Sequence, residues 1–248
     1  MYIPIDACQL PENMESRIWR YIDIPKLVSL LDTRSLYFSR ADLLGDPFEG
    51  SHPKTFSKTE FKLVIEQGEK KQEITLSSEA FYSALRRNTF INCWHLNPDE
   101  SHAMWSVYLH EQPGVAIQST SNRLISALSI DEQHKVNVGR VRYIDYATDS
   151  FPDENQTIHG FLYKHKCYEH ERELRAIIRA DHIPTSIFSP DKVPLGKVHP
   201  VDLDVLVERI VLPPDASPWF EKVVTSLLRR YGLVKTVAHS SIPRKPQW

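Results

Sequence analysis

The chain has 248 residues, 41% hydrophobic and 25% charged, and its 30 basic against 32 acidic side chains leave a net charge of -2. That balance suits an ordinary globular protein with a sizeable core; it excludes a general electrostatic attraction to nucleic acid or membrane and leaves room only for a local basic groove. Three cysteines, Cys8, Cys93 and Cys167, are too few and scattered for a disulfide framework, the N-terminus has no basic and apolar leader, and no apolar run is long enough to span a bilayer, so a cytoplasmic protein with no membrane partner is expected.

In chain order, RIWRYID (17–23) alternates as a first strand, and IPKLVSLLDTR (24–34), with Pro25 at its start, predicts a short helix. SLYFSR predicts a second strand, running into the turn GDPFEG, where Gly45, Asp46 and Pro47 favour a rigid bend. In that turn Asp46 is expected to brace the loop and Phe48 to tuck inward. Residues 57–87 predict two helices around a solvated charged hairpin, EQGEKKQE. NTFINCWHL (88–96), DESHAMWSVYLHE (99–111) and GVAIQST (114–120) predict a strand, helix, strand unit.

Further on, SNRLISALSID predicts a helix, KVNVGRVRYIDY (135–146) and ERELRAIIR (171–179) predict strands, and VERIVLPP another. Ser217 is placed to cap a helix opening at Pro218 and closing at Gly232, before a last strand in LVKTVAHS. The order is not a regular βα alternation. It predicts an α+β fold: one domain, 1–248, with a mixed, strand-rich central sheet flanked by helices, in which 180–248 is a proline-rich looped region ending in a strand-helix-strand unit.

Two polar constellations stand out. In YKHKCYEHERELRAII, Glu171, Glu173 and Arg175 fall two apart and share one strand face, opposite Leu174, Ala176 and Ile178. Two carboxylates on one face need a cationic answer. Arg175, Lys164 and Lys166 could supply it in a structural ion-pair ladder; alternatively a glutamate is held there for acid, base or cation-stabilising work, its pKa raised by its neighbour. In the second constellation Met104, Trp105 and Tyr108 read as a helix packed on the sheet, leaving the edge Asn92, Cys93, Trp94 and His95 to bind a ligand. Cys93, His95 and His102 lack the further paired ligands of a zinc site, so no metal is assigned, and no P-loop, dinucleotide fingerprint, zincin or nucleophile-elbow motif occurs.

Four blocks together resemble the bacterial family called domain of unknown function 2971: IWRYID, the LYFS to DPFE stretch, Met104-Trp105 with Tyr108, Gly114 and Ile117, and Lys166 with Glu171, Glu173 and Arg175. The order of polar groups is also similar to that of ADP-ribosyltransferases, which present an Arg or His on a first strand, a Ser or Tyr on a middle strand and a late Glu. That resemblance implies NAD as substrate: Glu173 as the catalytic carboxylate, Glu171 orienting the acceptor, and Arg20, Tyr21, Tyr37, Asn92, Cys93, Trp94 and Arg175 holding the dinucleotide. It implies a nucleic-acid or protein acceptor, and a toxin or anti-phage defence setting with an antitoxin or defence partner. The middle strand here lacks the Ser-Thr-Ser of that family. Two other readings use the same residues: a Mg²⁺ nuclease site of Asp46, Glu171 and Glu173 with Lys166 assisting, or a non-catalytic binding or sensor module.

Overall fold

The computed structural model describes residues 1–53, 60–67, 70–109, 112–132, 134–151, 157–180, 187 and 189–243. It is a single-domain α+β fold. The chain opens with strand β1 (Arg17–Asp23), helix α1 (Ile24–Thr33) and strand β2 (Ser35–Arg40). Asp23 accepts the Lys26 amide and Pro25 fills a first-turn position that needs no N–H, so the strand passes directly into the helix.

Next come β3 (Glu60–Gln67) and β4 (Lys70–Ser77), α2 (Ser78–Arg87), β5 (Thr89–Leu96), α3 (His102–Leu109), β6 (Gly114–Thr120) and α4 (Ser121–Leu128). After them run β7 (Val136–Arg140), β8 (Arg142–Ile144), β9 (Tyr163–His165) and β10 (Glu173–Arg179). The chain closes with β11 (Gly196–Pro200), α5 (Leu203–Leu206), β12 (Arg209–Leu212), α6 (Pro218–Arg230) and β13 (Thr236–His239). Ser217 accepts the Phe220 amide at the start of α6, and Gly232 follows its end at φ 71.

Among the described residues nine strands form one sheet, and β5 is its hub. One edge of β5 pairs along its length with β10, from Glu173 opposite His95 to Arg179 opposite Thr89, and β10 carries β7 beyond it. The other edge is shared. β2 pairs only with its start, Ser39 opposite Ile91 and Arg40 opposite Phe90, while β1 pairs only with its end, Ile18 opposite Leu96 and Trp19 opposite His95. β1 then carries β6, β12 and β13, and β2 carries β11. The sheet therefore forks at Asn92, Cys93 and Trp94, with α1 joining the two prongs.

Alternation sends each prong's apolar residues to two faces. Ile18 and Ile22 of β1, Leu36 and Phe38 of β2 and Trp94 of β5 join the main core with Leu27 and Leu30 of α1 and Val224 and Leu228 of α6. Trp19 and Tyr21 turn to the other side, against Met104 and Trp105 of α3. Arg20 shares the register of Ile18 and Ile22, so the sequence places a guanidinium where the pattern calls for a core residue.

Two expected elements differ. The first of the two helices read across 57–87 is instead a β-hairpin: Phe61 lies opposite Leu76 and Leu63 opposite Ile74, a period of two that the Lys, Glu and Gln content disguises. Gly68 and Glu69 of the expected hairpin lie outside the described residues, as do His110 and Glu111 at the end of the α3 segment. The strand read over 135–146 breaks at Val141, and its second half, β8, pairs in parallel with β9 in a separate two-stranded sheet. That pairing brings Lys164 of β9 opposite Tyr143 of β8.

Candidate active site

A cleft of about 510 Å³ opens in the fork. β1 and β2 form its sides, α1 lies along it through Lys26, Ser29 and Leu30, and the middle of β5, which pairs with β10 but with neither prong, forms its floor. Arg20, Tyr21 and Tyr37 line one part, and Cys93 and Trp94 the floor. Glu171 and Glu173 line it as well, with Tyr108 of α3.

The fork is held open by side chains that replace missing sheet bonds. Arg20 Nη1 donates to the Cys93 carbonyl oxygen at 2.6 Å, and its guanidinium carbon lies 5.9 Å from the centre of the Trp94 ring. Asn92 Nδ2 donates to the Tyr37 carbonyl oxygen at 2.9 Å, while its Oδ1 accepts the Trp94 indole N–H at 2.8 Å. Asn92 is thus a buried bridge between prong and floor and does not line the cleft. Tyr21 is anchored away from the opening: its hydroxyl accepts the Ser101 amide at 3.0 Å, and its ring meets Trp105 edge-on. Tyr37 is half exposed at the mouth.

Arg20 has no carboxylate partner among the described residues, and only its Nη1 is bonded. Cys93 is a free thiol whose pKa is pushed well up by burial and by the neighbouring Glu173 charge, so it stays protonated.

The two glutamates belong to a buried ion cluster. Arg175, 1% exposed, donates from Nε to Glu173 Oε2 at 2.7 Å and makes a two-toothed bond to Glu49 at 2.7 and 2.9 Å, with a further bond to the Phe161 carbonyl oxygen at 2.8 Å. Lys164 Nζ lies 2.9 Å from Glu173 Oε1 and 2.5 Å from Glu171 Oε2. The Tyr143 hydroxyl accepts the Glu173 amide at 2.8 Å. Arg175 therefore sits behind Glu173 as its counterion and does not reach the cleft.

These surroundings separate the two carboxylates. Burial disfavours charge on Glu173, but Arg175 and Lys164 outweigh it and hold its pKa well below the carboxylate range. Glu171 lacks Arg175; burial and the adjacent Glu173 raise its pKa to about 7 against the pull of Lys164. The expected common strand face is only part of the reason they meet. Glu171 ends a 3-10 turn, Lys166–Glu171, and reaches the cluster because Arg172 takes a left-handed backbone at φ 41. Lys166 is not in the cluster; it pairs with Asp145 on the surface at 2.8 Å.

The GDPFEG turn serves this cluster. Asp46 Oδ1 accepts the Phe48 amide at 2.9 Å and braces the loop, but Phe48 does not tuck inward: it is 44% exposed, 5.2 Å from the Tyr146 ring. The buried residue is Glu49, delivered to Arg175 because Gly50 takes φ 71 where a Cβ would meet Phe161 at 2.7 Å. Glu49 and Tyr108 were not assigned to the site from sequence; the glutamate sat in a turn pattern, and the tyrosine read as core.

Among the described residues no group of three His, Cys, Asp or Glu is placed to hold a metal, and no helix is long and apolar enough to cross a membrane. What the fold and cleft define is an α+β protein with a forked sheet, an unpaired arginine at one side of the fork and paired glutamates at its floor.

No protein-family model matches the chain, and no curated protein matches it. It is similar to solved structures of Thermus sp. 2.9 DarT. The complex with NAD+ aligns at a TM-score of 0.40 and 10% identity over 93% of this chain and 97% of that one. The complex with carba-NAD+ gives 0.38 and 11% over 93% and 96%, and the complex with ADP-ribosylated ssDNA 0.39 and 9% over 93% and 94%. At these scores the likeness assigns neither fold nor activity to this chain.

Proposed function

We propose that the protein is an NAD-consuming, ADP-ribosyltransferase-like enzyme that breaks the nicotinamide–ribose bond and transfers ADP-ribose to a nucleic-acid or protein acceptor, as an effector in a toxin or anti-phage setting. The carrying observation is that one cleft joins the unpaired Arg20 guanidinium to the Glu171 and Glu173 carboxylates. A dinucleotide presents the matching pair of features: an anionic pyrophosphate and a ribose that becomes cationic as the bond breaks. The four-block resemblance to domain of unknown function 2971 is a likeness of residues alone, since no family model matches the chain.

Arg20 retains free N–H groups to grip the pyrophosphate, and its bond to the Cys93 carbonyl fixes its direction. Tyr37, half exposed at the mouth, offers a ring face for the nicotinamide, whereas Trp94, 1% exposed with Arg20 over its ring, backs the floor and does not stack on it as expected from sequence. Glu173, kept ionised by Arg175 and Lys164, supplies fixed negative charge beside the ribose, and Glu171 holds a hydroxyl of the ribose or acceptor. At about 510 Å³ the cleft falls in the range of small-molecule sites. The nuclease reading fits less well, because the Lys164 ammonium already occupies the place between the two carboxylates where Mg²⁺ would sit.

The test is calorimetric binding of NAD together with nicotinamide release in the presence of protein, DNA and RNA acceptors. Binding and release are expected for the wild type, with Arg20→Ala losing most of the binding. Wild type that neither binds NAD nor releases nicotinamide, yet degrades nucleic acid with Mg²⁺, would sink the proposal in favour of its rival.

A further inference from the structure

His95 lines the cleft from the β5 floor and is only 6% exposed. Its Nδ1 lies 2.6 Å from the Glu171 carbonyl oxygen. A carbonyl can only accept, so Nδ1 carries the proton and donates, and in the neutral ring Nε2 is then a bare lone pair. Nε2 is buried and has no hydrogen-bond partner among the described residues. Buried polar atoms are nearly always bonded, so an orphaned acceptor beside a cleft marks a place where a ligand supplies the missing donor.

Building on the NAD reading above, we propose that His95 is the general base of the transfer step, taking a proton from the incoming nucleophile on Nε2. In sheet register His95 stands between Trp19 of β1 and Glu173 of β10, so the base and the carboxylate are cross-strand neighbours on one face. Burial lowers its pKa, and the nearby Arg172 and His170 act in the same direction against the Glu171 carbonyl, so the ring is neutral when needed.

In the step, the nucleophile's O–H or N–H bond breaks and its electron pair bonds to the ribose carbon as the bond to the nicotinamide nitrogen breaks. The proton goes to Nε2 and then to solvent, nicotinamide leaves neutral, and nothing is oxidised or reduced. The acceptor class follows: a neutral group with an exchangeable O–H or N–H. An anion needs no base.

The experiment compares wild type with His95→Gln, measuring nicotinamide release from NAD in buffer alone and with sodium azide. Gln keeps the shape and a hydrogen-bond acceptor but takes no proton, so release in buffer should fall about 100-fold. Azide, which attacks without losing a proton, should restore release to near the wild-type azide rate. An equal loss with azide, or no loss in buffer, overturns the proposal. Nitrogen NMR of the unliganded wild type gives an activity-independent check: protonated Nδ1 and bare Nε2 are expected at neutral pH, and a protonated Nε2 overturns the assignment. A wild type that does not bind NAD overturns the NAD reading and this proposal together, whereas NAD binding with an unaffected His95→Gln overturns this proposal alone.

Discussion

Glu171 is the residue on which the charge of the cluster turns. Lys164 and Arg175 face Glu49, Glu171 and Glu173, so the cluster is neutral while Glu171 keeps its proton and singly negative once the proton leaves. Because its pKa is raised to about 7, that negative charge appears only as pH rises through about 7. Nicotinamide release is therefore expected to climb across that range, and Glu171→Gln to flatten the profile and slow release about 100-fold; a wild-type rate independent of pH from 6 to 8 (roughly one unit either side of neutrality) would exclude this role. Glu173 is a poorer probe of chemistry, since its removal takes from Lys164 and Arg175 a counter-charge they share, leaving Arg175 only Glu49. Glu173→Gln is expected to lower unfolding stability by about 3–5 kcal/mol in denaturant titrations. Its folded-state pKa lies below the unfolded value, so the stability it contributes is present above the unfolded pKa and lost as pH falls through the folded one.

At the scale of elements, Arg20 ties the floor of the fork to the β1 prong and the Asn92 amide ties it to the β2 prong. Asn92→Ala leaves the Tyr37 carbonyl and the Trp94 indole N–H without partners, and a loss of about 2 kcal/mol or more is expected by thermal or chemical unfolding. An unchanged midpoint would mean that the prongs hold without the bridge. Gly196 on β11 tests the other prong: a Cβ there would stand 2.2 Å from the Tyr37 ring. Gly196→Ala is expected to push that half-exposed ring aside and weaken NAD binding in calorimetry while barely moving the melting temperature. Most strands and helices were legible as periodicity, as in β1, α1 and α6 with its Ser217 cap. The β3–β4 hairpin was not, because helix-favouring Lys, Glu and Gln on its polar positions masked the alternation of Phe61, Leu63, Ile74 and Leu76. The fork itself was invisible, since no local pattern records that two strands share one edge of a third.

At the scale of the whole molecule, a ligand seated between the prongs joins both halves of the sheet, so binding is linked to global stability. NAD at about 100 times its dissociation constant should stabilise the fold by about 2.7 kcal/mol, which for a chain of this size raises the melting temperature by about 5–10 °C; no shift at any NAD concentration would count against the reading. Arg20 and the glutamates were conspicuous in the sequence as charges among apolar neighbours. Glu49 was hidden, because its partner Arg175 lies far along the chain and only the folded turn unites them. Trp19 and Trp94 line the cleft almost fully buried, whereas Trp219 is 72% exposed. The molecule thereby carries its own optical gauge: buried indoles emit to the blue of a hydrated one, and a nicotinamide ring entering the fork would quench the blue part of the emission while leaving the red shoulder of Trp219 untouched, so occupancy can be followed by light without any label.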